Sequence, residues 1–218
     1  MRYTLDTMSR RNPKPDKYAT PYTCRSVLLA VMETANKELG RKKIKQRIRA
    51  LSKEDIKSQS ISACKLAAGL IAFKNARTIL SYRALPGECD PAELVKAAAS
   101  MGKNVAYPVC SGDGGLELYI PSDGSCFVRG AYGIAEPDRE RSGRIMIDQI
   151  DLIIVPGLAF GRDLYRLGRG GGYYDRLLNG AAAFKLGLAL KEQITERVPR
   201  EAWDAKMDAV ACNFGIYC

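Results

Sequence analysis

The segment from Asp151 to Asn179 constrains this chain more than any other. It opens on a β-branched apolar run, Leu152-Ile153-Ile154-Val155, which Pro156 and Gly157 bring to a stop. Such a run predicts a strand buried on both faces. After a loop comes a basic, glycine-packed turn, Arg166-Leu167-Gly168-Arg169-Gly170-Gly171-Gly172. Tyr173-Tyr174-Asp175-Arg176-Leu177-Leu178 then reads as the first turns of a helix. A buried strand leading through glycines into a helix start is how α/β proteins build anion sites, because backbone N–H groups converge where no Cβ intervenes. The turn is neither of the common phosphate fingerprints. It lacks Gly-Lys-Ser or Gly-Lys-Thr, and Tyr173 stands where the last glycine of a dinucleotide loop would fall. The competing reading is a surface loop with solvated arginines, but the buried strand ahead of it favours a site.

The rest of the chain alternates strands and helices around this segment. Leu28, Val31, Met32, Ala35 and Leu39 recur at helical spacing, so a long helix is expected from Cys24 to Leu51, with Gly40 weakening it. Ser52-Lys53-Glu54-Asp55 is a capping box and starts a second helix. Strands are expected over 77–82, 103–109, 116–120, 184–190 and 208–212. A helix is expected between Asp90-Pro91 and Gly102. The pattern predicts an α/β fold of three layers, a mostly parallel sheet with helices on both faces. Ligands in such sheets bind beyond the carboxyl ends of the strands, so the loops after Tyr82, Val109 and Val155 should line one crevice.

Composition narrows the chemistry. The chain of 218 residues has a net charge of +10, but residues 1–49 hold 13 bases against four acids and the remainder is nearly neutral. That argues against a nucleic-acid surface spread over the fold. Residues 1–22, with Pro13, Pro15 and Pro21, read as an irregular or disordered basic extension ahead of a single α/β domain, 23–218. No apolar run reaches the roughly 18 residues a membrane span needs. The seven cysteines show no C-x-x-C spacing, as in a reduced protein without a zinc site, and a cytoplasmic location is expected. A targeting role for the extension is the lesser alternative. The chain has no histidine, which excludes Ser-His-Asp and Cys-His catalysis. Any metal should be a hard cation on carboxylates, such as Mg²⁺.

Several residues carry two readings each. Lys37 and Arg41, four apart on one helix face, form either a phosphate-binding pair or, better on spacing alone, a solvated basic face. Glu88 follows a strand and could grip an N–H-rich heterocycle, or it is a solvated loop carboxylate. Asp175 either complements the helix dipole or holds Mg²⁺ against phosphates. Of Tyr173 and Tyr174, at least one belongs to the core, and the other could stack on a ligand ring.

Val155-Pro156-Gly157-Leu158-Ala159-Phe160 and Tyr165 through Asp175 together resemble the signature of the 5-formyltetrahydrofolate cyclo-ligase family. Gly87-Glu88-Cys89-Asp90, Tyr132 through Pro137, and Gly187 through Asp204 resemble further family segments in the same order. The resemblance covers about residues 35–210. It implies conversion of 5-formyltetrahydrofolate and ATP to 5,10-methenyltetrahydrofolate, ADP and phosphate, with Mg²⁺ as cofactor. It also implies roles position by position. Lys37, Arg41 and the run Arg166, Leu167, Gly168, Arg169, Gly170, Gly171, Gly172, Tyr173 and Tyr174 would bind ATP. Glu88, with Arg169 through Tyr173, would bind the folate. Asp175 and Asp204 would hold the metal. No catalytic residue is assigned beyond these binding groups. The chain departs from the pattern at Gly161, where members usually carry Asp, at Trp203, where many carry His, and at Arg83, where an apolar residue is usual. Ala211-Cys212-Asn213 also replaces the more usual ending. These departures bear on pocket shape. A monomer without a membrane or nucleic-acid partner is expected. The alternative from another class is a catalytically silent relative that binds nucleotide or RNA.

Overall fold

The computed structural model describes residues 24–112 and 114–218, with side chains placed from residue 36 onward except that of Ala131. The extension expected over residues 1–22 therefore lies outside the described residues. The chain opens with helices α1 (Cys24–Arg49), α2 (Lys53–Ala68) and α3 (Ile71–Asn75), followed by strand β1 (Thr78–Leu80) and α4 (Ala92–Ser100). Then come β2 (Asn104–Cys110), β3 (Leu116–Pro121), β4 (Phe127–Arg129), β5 (Ala135–Pro137) and β6 (Ser142–Ile145). The remainder is β7 (Leu152–Val155), β8 (Ala159–Gly161), β9 (Arg166–Leu167), α5 (Tyr173–Leu178), β10 (Phe184–Leu188), β11 (Ile194–Thr195), β12 (Ala209–Cys212) and β13 (Gly215–Tyr217).

Eight strands form one sheet in the order β13-β12-β10-β7-β1-β2-β3-β6. The neighbours from β12 to β2 run parallel, while β13, β3 and β6 pair antiparallel at the two ends. The expected strand Leu152–Val155 is β7, in the middle of the parallel block and buried along its whole length. Its side chains alternate between two cores, as a pleated strand requires. Leu152 and Ile154 meet Ala63, Phe73 and Leu94 from α2, α3 and α4. Ile153 and Val155 meet Phe160 and Leu178 on the other face. Fully burying a side chain of this size contributes roughly 1.5–3 kcal/mol, so this strand anchors the domain core.

The second face has a refinement that sequence periodicity did not reveal. Its only helix from the segment is α5, six residues long. The rest of that face is covered by a small sheet, β11-β8-β9, whose strands of two or three residues carry no periodic signal. Phe160 of β8 lies in the second core, where Gly157 and Gly187 make room for it. A Cβ at Gly157 would stand 2.7 Å from the Phe160 ring, and one at Gly187 would stand 2.6 Å from it.

Helix α1 runs unbroken through Gly40, contrary to the expected weakening, and it docks on the small sheet. Ile44 and Ile48 pack against Leu158, Leu167 and Val198. Leu39, expected on the apolar stripe, is 51% exposed. The docking row is instead Gly40, Ile44 and Ile48, at four-residue spacing. A Cβ at Gly40 would come 3.2 Å from Leu167 Cδ2, so the glycine marks the closest approach of helix to sheet. The two starts predicted from capping hold. The Ser52 hydroxyl accepts from the Asp55 N–H while the Asp55 carboxylate accepts from the Ser52 N–H, and α4 follows Pro91.

Candidate active site

The carboxyl ends of β1, β2 and β7 open into one cavity of about 530 Å³. Tyr82 and Arg83 reach it from the end of β1, Cys110 from β2, and Pro156 and Gly157 from β7, as the strand pattern predicts. The buried Gln193 side chain fixes this β7 corner. Its Nε2 donates to the Gly157 carbonyl at 2.8 Å, and its Oε1 accepts from the Leu190 N–H at 2.8 Å.

Gly168 through Asp175 form the opposite wall. Gly170 has φ of +111° and Gly172, which precedes α5, has φ of +69°, conformations that a side chain would strain. Arg166 lies beneath this wall. Its side chain is 4% exposed, and an Nη donates to Asp175 Oδ1 at 2.6 Å. Burial pulls its pKa below the ordinary guanidinium value, against the opposing charges of Asp175 and Asp204. Among the described residues its Nε has no partner, and neither has the buried hydroxyl of Tyr174, whose ring lies 5.8 Å from the guanidinium carbon. Burial also drives the Tyr174 phenol well above its usual value, so it remains a neutral donor.

Glu88 is buried at the cavity wall, not solvated. Its Oε1 accepts from Arg169 Nε at 2.6 Å and its Oε2 from the Leu85 N–H at 3.0 Å. The strand-end loop and the glycine turn are thereby joined across 81 residues of sequence. Leu167 faces away from the cavity, packed on α1. Tyr173 lines the mouth, and its hydroxyl shares a hydrogen bond of 3.0 Å with that of Tyr132.

Lys37, Arg41 and Asp204 form a second cluster next to the glycine turn. Arg41 Nε donates to the Gly168 carbonyl at 3.0 Å, and the Arg41 guanidinium lies beside Gly170. Lys37 Nζ donates to Glu201 at 2.7 Å and to Asp204 Oδ2 at 2.9 Å. Burial lowers the Lys37 pKa, but the two carboxylates outweigh it and the net shift is upward. The basic pair is thus anchored rather than solvated. Asp175 and Asp204 are each held by a different cation, and among the described residues no group of three or more acidic or thiol side chains converges as a ready-made metal cage. Each carboxylate keeps one oxygen without a protein partner among the described residues, Oδ2 of Asp175 and Oδ1 of Asp204. A carboxylate oxygen left in this way suits Mg²⁺, which takes one or two protein carboxylates and completes its shell with phosphate and water oxygens.

Sequence reasoning did not single out Glu136 or Cys110. Glu136 is buried and lines the cavity, facing Gly130, where a Cβ would collide with its carboxyl group. The Cys110 thiol is pushed up to about 11 by burial and by its hydrogen bond to Glu136. The sequence signal for Glu136 was its place in the segment Tyr132 through Pro137, which resembles a family segment but carries no chemistry of its own.

A model of the 5-formyltetrahydrofolate cyclo-ligase family matches residues 33–213. The chain belongs to that family. The matched segment includes Lys37, Arg41, Glu88, the glycine turn, Asp175 and Asp204. A probable 5-formyltetrahydrofolate cyclo-ligase from Schizosaccharomyces pombe is 38% identical over 172 residues, covering 71% of this chain and 84% of the relative. The cyclo-ligase of Escherichia coli K12 is 30% identical over 172 residues, covering 77% and 94%. Among solved structures, the 5,10-methenyltetrahydrofolate synthetase of Aquifex aeolicus superposes with a TM-score of 0.73 at 32% identity, covering 85% of this chain and 91% of that one. The synthetase of Mycoplasma pneumoniae, at 24% identity and a TM-score of 0.66, shares the fold. The cyclo-ligases are enzymes, so the chain is a member of an enzyme family of ligases, as its glycine-turn signature implied. No helix among the described residues is long and apolar enough to cross a membrane.

Proposed function

We propose that the chain converts 5-formyltetrahydrofolate and ATP, with Mg²⁺, to 5,10-methenyltetrahydrofolate, ADP and phosphate. The observation that carries this reading is the pairing, in one cavity, of a buried carboxylate with a glycine turn set among arginines. The formamide oxygen is a poor leaving group. Transfer of the ATP γ-phosphoryl group onto it makes that oxygen leave as phosphate, and attack by N10 closes the ring. The work asked of the protein is positioning and charge neutralisation, which a chain without histidine can supply.

In this reading Lys37 and Arg41 neutralise ATP phosphates, with the turn from Arg166 to Tyr174 around them. Glu88 grips pterin N–H groups, and Arg169 through Tyr173 contact both substrates. Asp175 and Asp204 hold Mg²⁺, whose charge would offset that of the transferring phosphoryl group. The neutral Tyr174 hydroxyl and Arg166 Nε are buried donors in the cavity wall without a partner among the described residues. The test is direct: purified protein is mixed with 5-formyltetrahydrofolate, ATP and Mg²⁺, and the methenyltetrahydrofolate absorbance is followed. Product that depends on both ATP and Mg²⁺ is expected. No product at high protein concentration would sink the reading.

A further inference from the structure

Two of the arginines that line the cavity are neutralised by carboxylates, Arg166 by Asp175 and Arg169 by Glu88. Arg83 lines the same cavity on different terms. Its guanidinium carbon lies 4.1 Å from the centre of the Phe127 ring and 5.4 Å from that of Tyr107. These two rings meet edge to face, 5.3 Å apart at 82°. Among the described residues no acidic side chain pairs with Arg83. Stacking on aromatic rings holds the guanidinium plane while leaving its N–H edge free. A planar fork held in that way suits a carboxylate, which it meets with two parallel hydrogen bonds.

The position also matters. Arg83 follows β1, and its aromatic supports come from β2 and β4. The cations beside the glycine turn come from α1 and β9. Arg83 and Glu88 lie on one connection, between β1 and α4. Of the two substrates, the folate carries carboxylates, on the glutamyl tail opposite its pterin. We propose that Arg83 is a specificity-determining residue that takes a glutamyl carboxylate of the folate and so favours folates with a charged tail. This rests on the cyclo-ligase reading of the cavity.

The experiment compares Arg83→Gln and Arg83→Lys with the unmutated protein. The probes are 5-formyltetrahydrofolate monoglutamate and its tail diamide, in which both carboxylates are carboxamides. Binding is read by calorimetry without ATP, and turnover by methenyltetrahydrofolate absorbance. Loss of one charge-assisted carboxylate contact at a solvent-reached site should raise the Kd and KM of Arg83→Gln for the monoglutamate roughly tenfold. Arg83→Lys, which restores the charge but not the fork, should recover part of that loss. The KM for ATP and the Kd for the diamide should not move. An equal loss for monoglutamate and diamide would overturn the proposal, since Arg83 would then only shape the cavity. No change for either folate, or a change confined to ATP, would overturn it too. Should the unmutated protein bind neither folate, the cyclo-ligase reading itself fails and this proposal with it. Binding by the unmutated protein with indifference to Arg83→Gln sinks this proposal alone.

Discussion

Replacing Asp175 by alanine separates its structural duty from its proposed chemical one. Arg166 is 4% exposed along its side chain and takes its carboxylate contact from Asp175 at 2.6 Å. Among the described residues its Nε has no partner, and Asp175 is its one ion-pair partner. Removing one member of a buried ion pair costs about 3–5 kcal/mol, because a charge is left uncompensated. The Asp175 side chain, however, is 35% exposed, and water entering its place screens part of that charge. The expected loss is therefore about 2 kcal/mol. For a chain of this length that lowers Tm by about 4–8 °C. Asp175→Asn keeps a neutral acceptor toward Arg166 and should lose only about 1 kcal/mol. Removing both charges in Arg166→Met/Asp175→Ala should cost less than the two single losses combined, which a double-mutant cycle by circular-dichroism melting would show. An Asp175→Ala protein that melts within a degree or so of the unmutated one would refute the argument that this pair supports the fold. Activity divides the variants differently. An amide cannot hold Mg²⁺ as a carboxylate does, so Asn and Ala should each lose roughly a hundredfold or more in kcat/KM. An Asn variant with near-normal turnover would leave Asp175 as a counter-ion for Arg166 and nothing more.

Three further outcomes are expected. Asp151 Oδ2 accepts from the N–H groups of Thr78 and Arg77, each at 2.8 Å, and these bonds hold its carboxyl below the ordinary 3.8. Its stabilisation is therefore complete above that value and lost as pH falls through the depressed one. Asp151→Ala should cost about 1 kcal/mol at neutral pH in denaturant melts, and the gap should close in acid; a gap that persists far below pH 3.8 would contradict this. Gln193→Leu leaves the Gly157 carbonyl and the Leu190 N–H unpaired in the interior, an expected loss of about 2–4 kcal/mol. Thermal melting checks it, and an unchanged Tm would mean that the β7 corner is held some other way. Gly40→Leu should push α1 off Leu167 and displace Lys37 and Arg41, raising the KM for ATP more than that for the folate. Equal effects on both substrates would show that α1 does not serve the nucleotide side in particular.

Much of the fold was legible because its signals are local. The run Leu152–Val155, the Ser52–Asp55 box and the Asp90-Pro91 start each specify structure within a few residues, and each element is where its residues predict. The elements missed were those whose stability comes from far away. Strands β8, β9 and β11 are too short for a period, and β4 and β5 form a ribbon within what reads as a connection. Leu39 shows a related limit, since helical spacing finds a stripe but cannot tell which stripe docks. At the site, residue identity was readable and partnership was not. Nothing near Glu88 announces Arg169, and nothing near Lys37 announces Glu201 or Asp204. Gly40 was misread because propensity counts its entropic cost, whereas its worth lies in the space it leaves for Leu167.

Phe160 has a consequence for how this protein can change over generations. One buried ring fills the space left by two glycines far apart in sequence, Gly157 in the turn after β7 and Gly187 on β10. A methyl group at either glycine is blocked while the phenyl is present, and a smaller residue at 160 opens a void while both glycines remain. The three positions therefore share one fixed volume, and single steps at any of them are penalised. A lineage can leave this arrangement only by paired exchange, such as a smaller residue at 160 together with an alanine at 157 or 187. Because Gly157 also borders the cavity, that shared volume ties drift in the interior to the shape of the site.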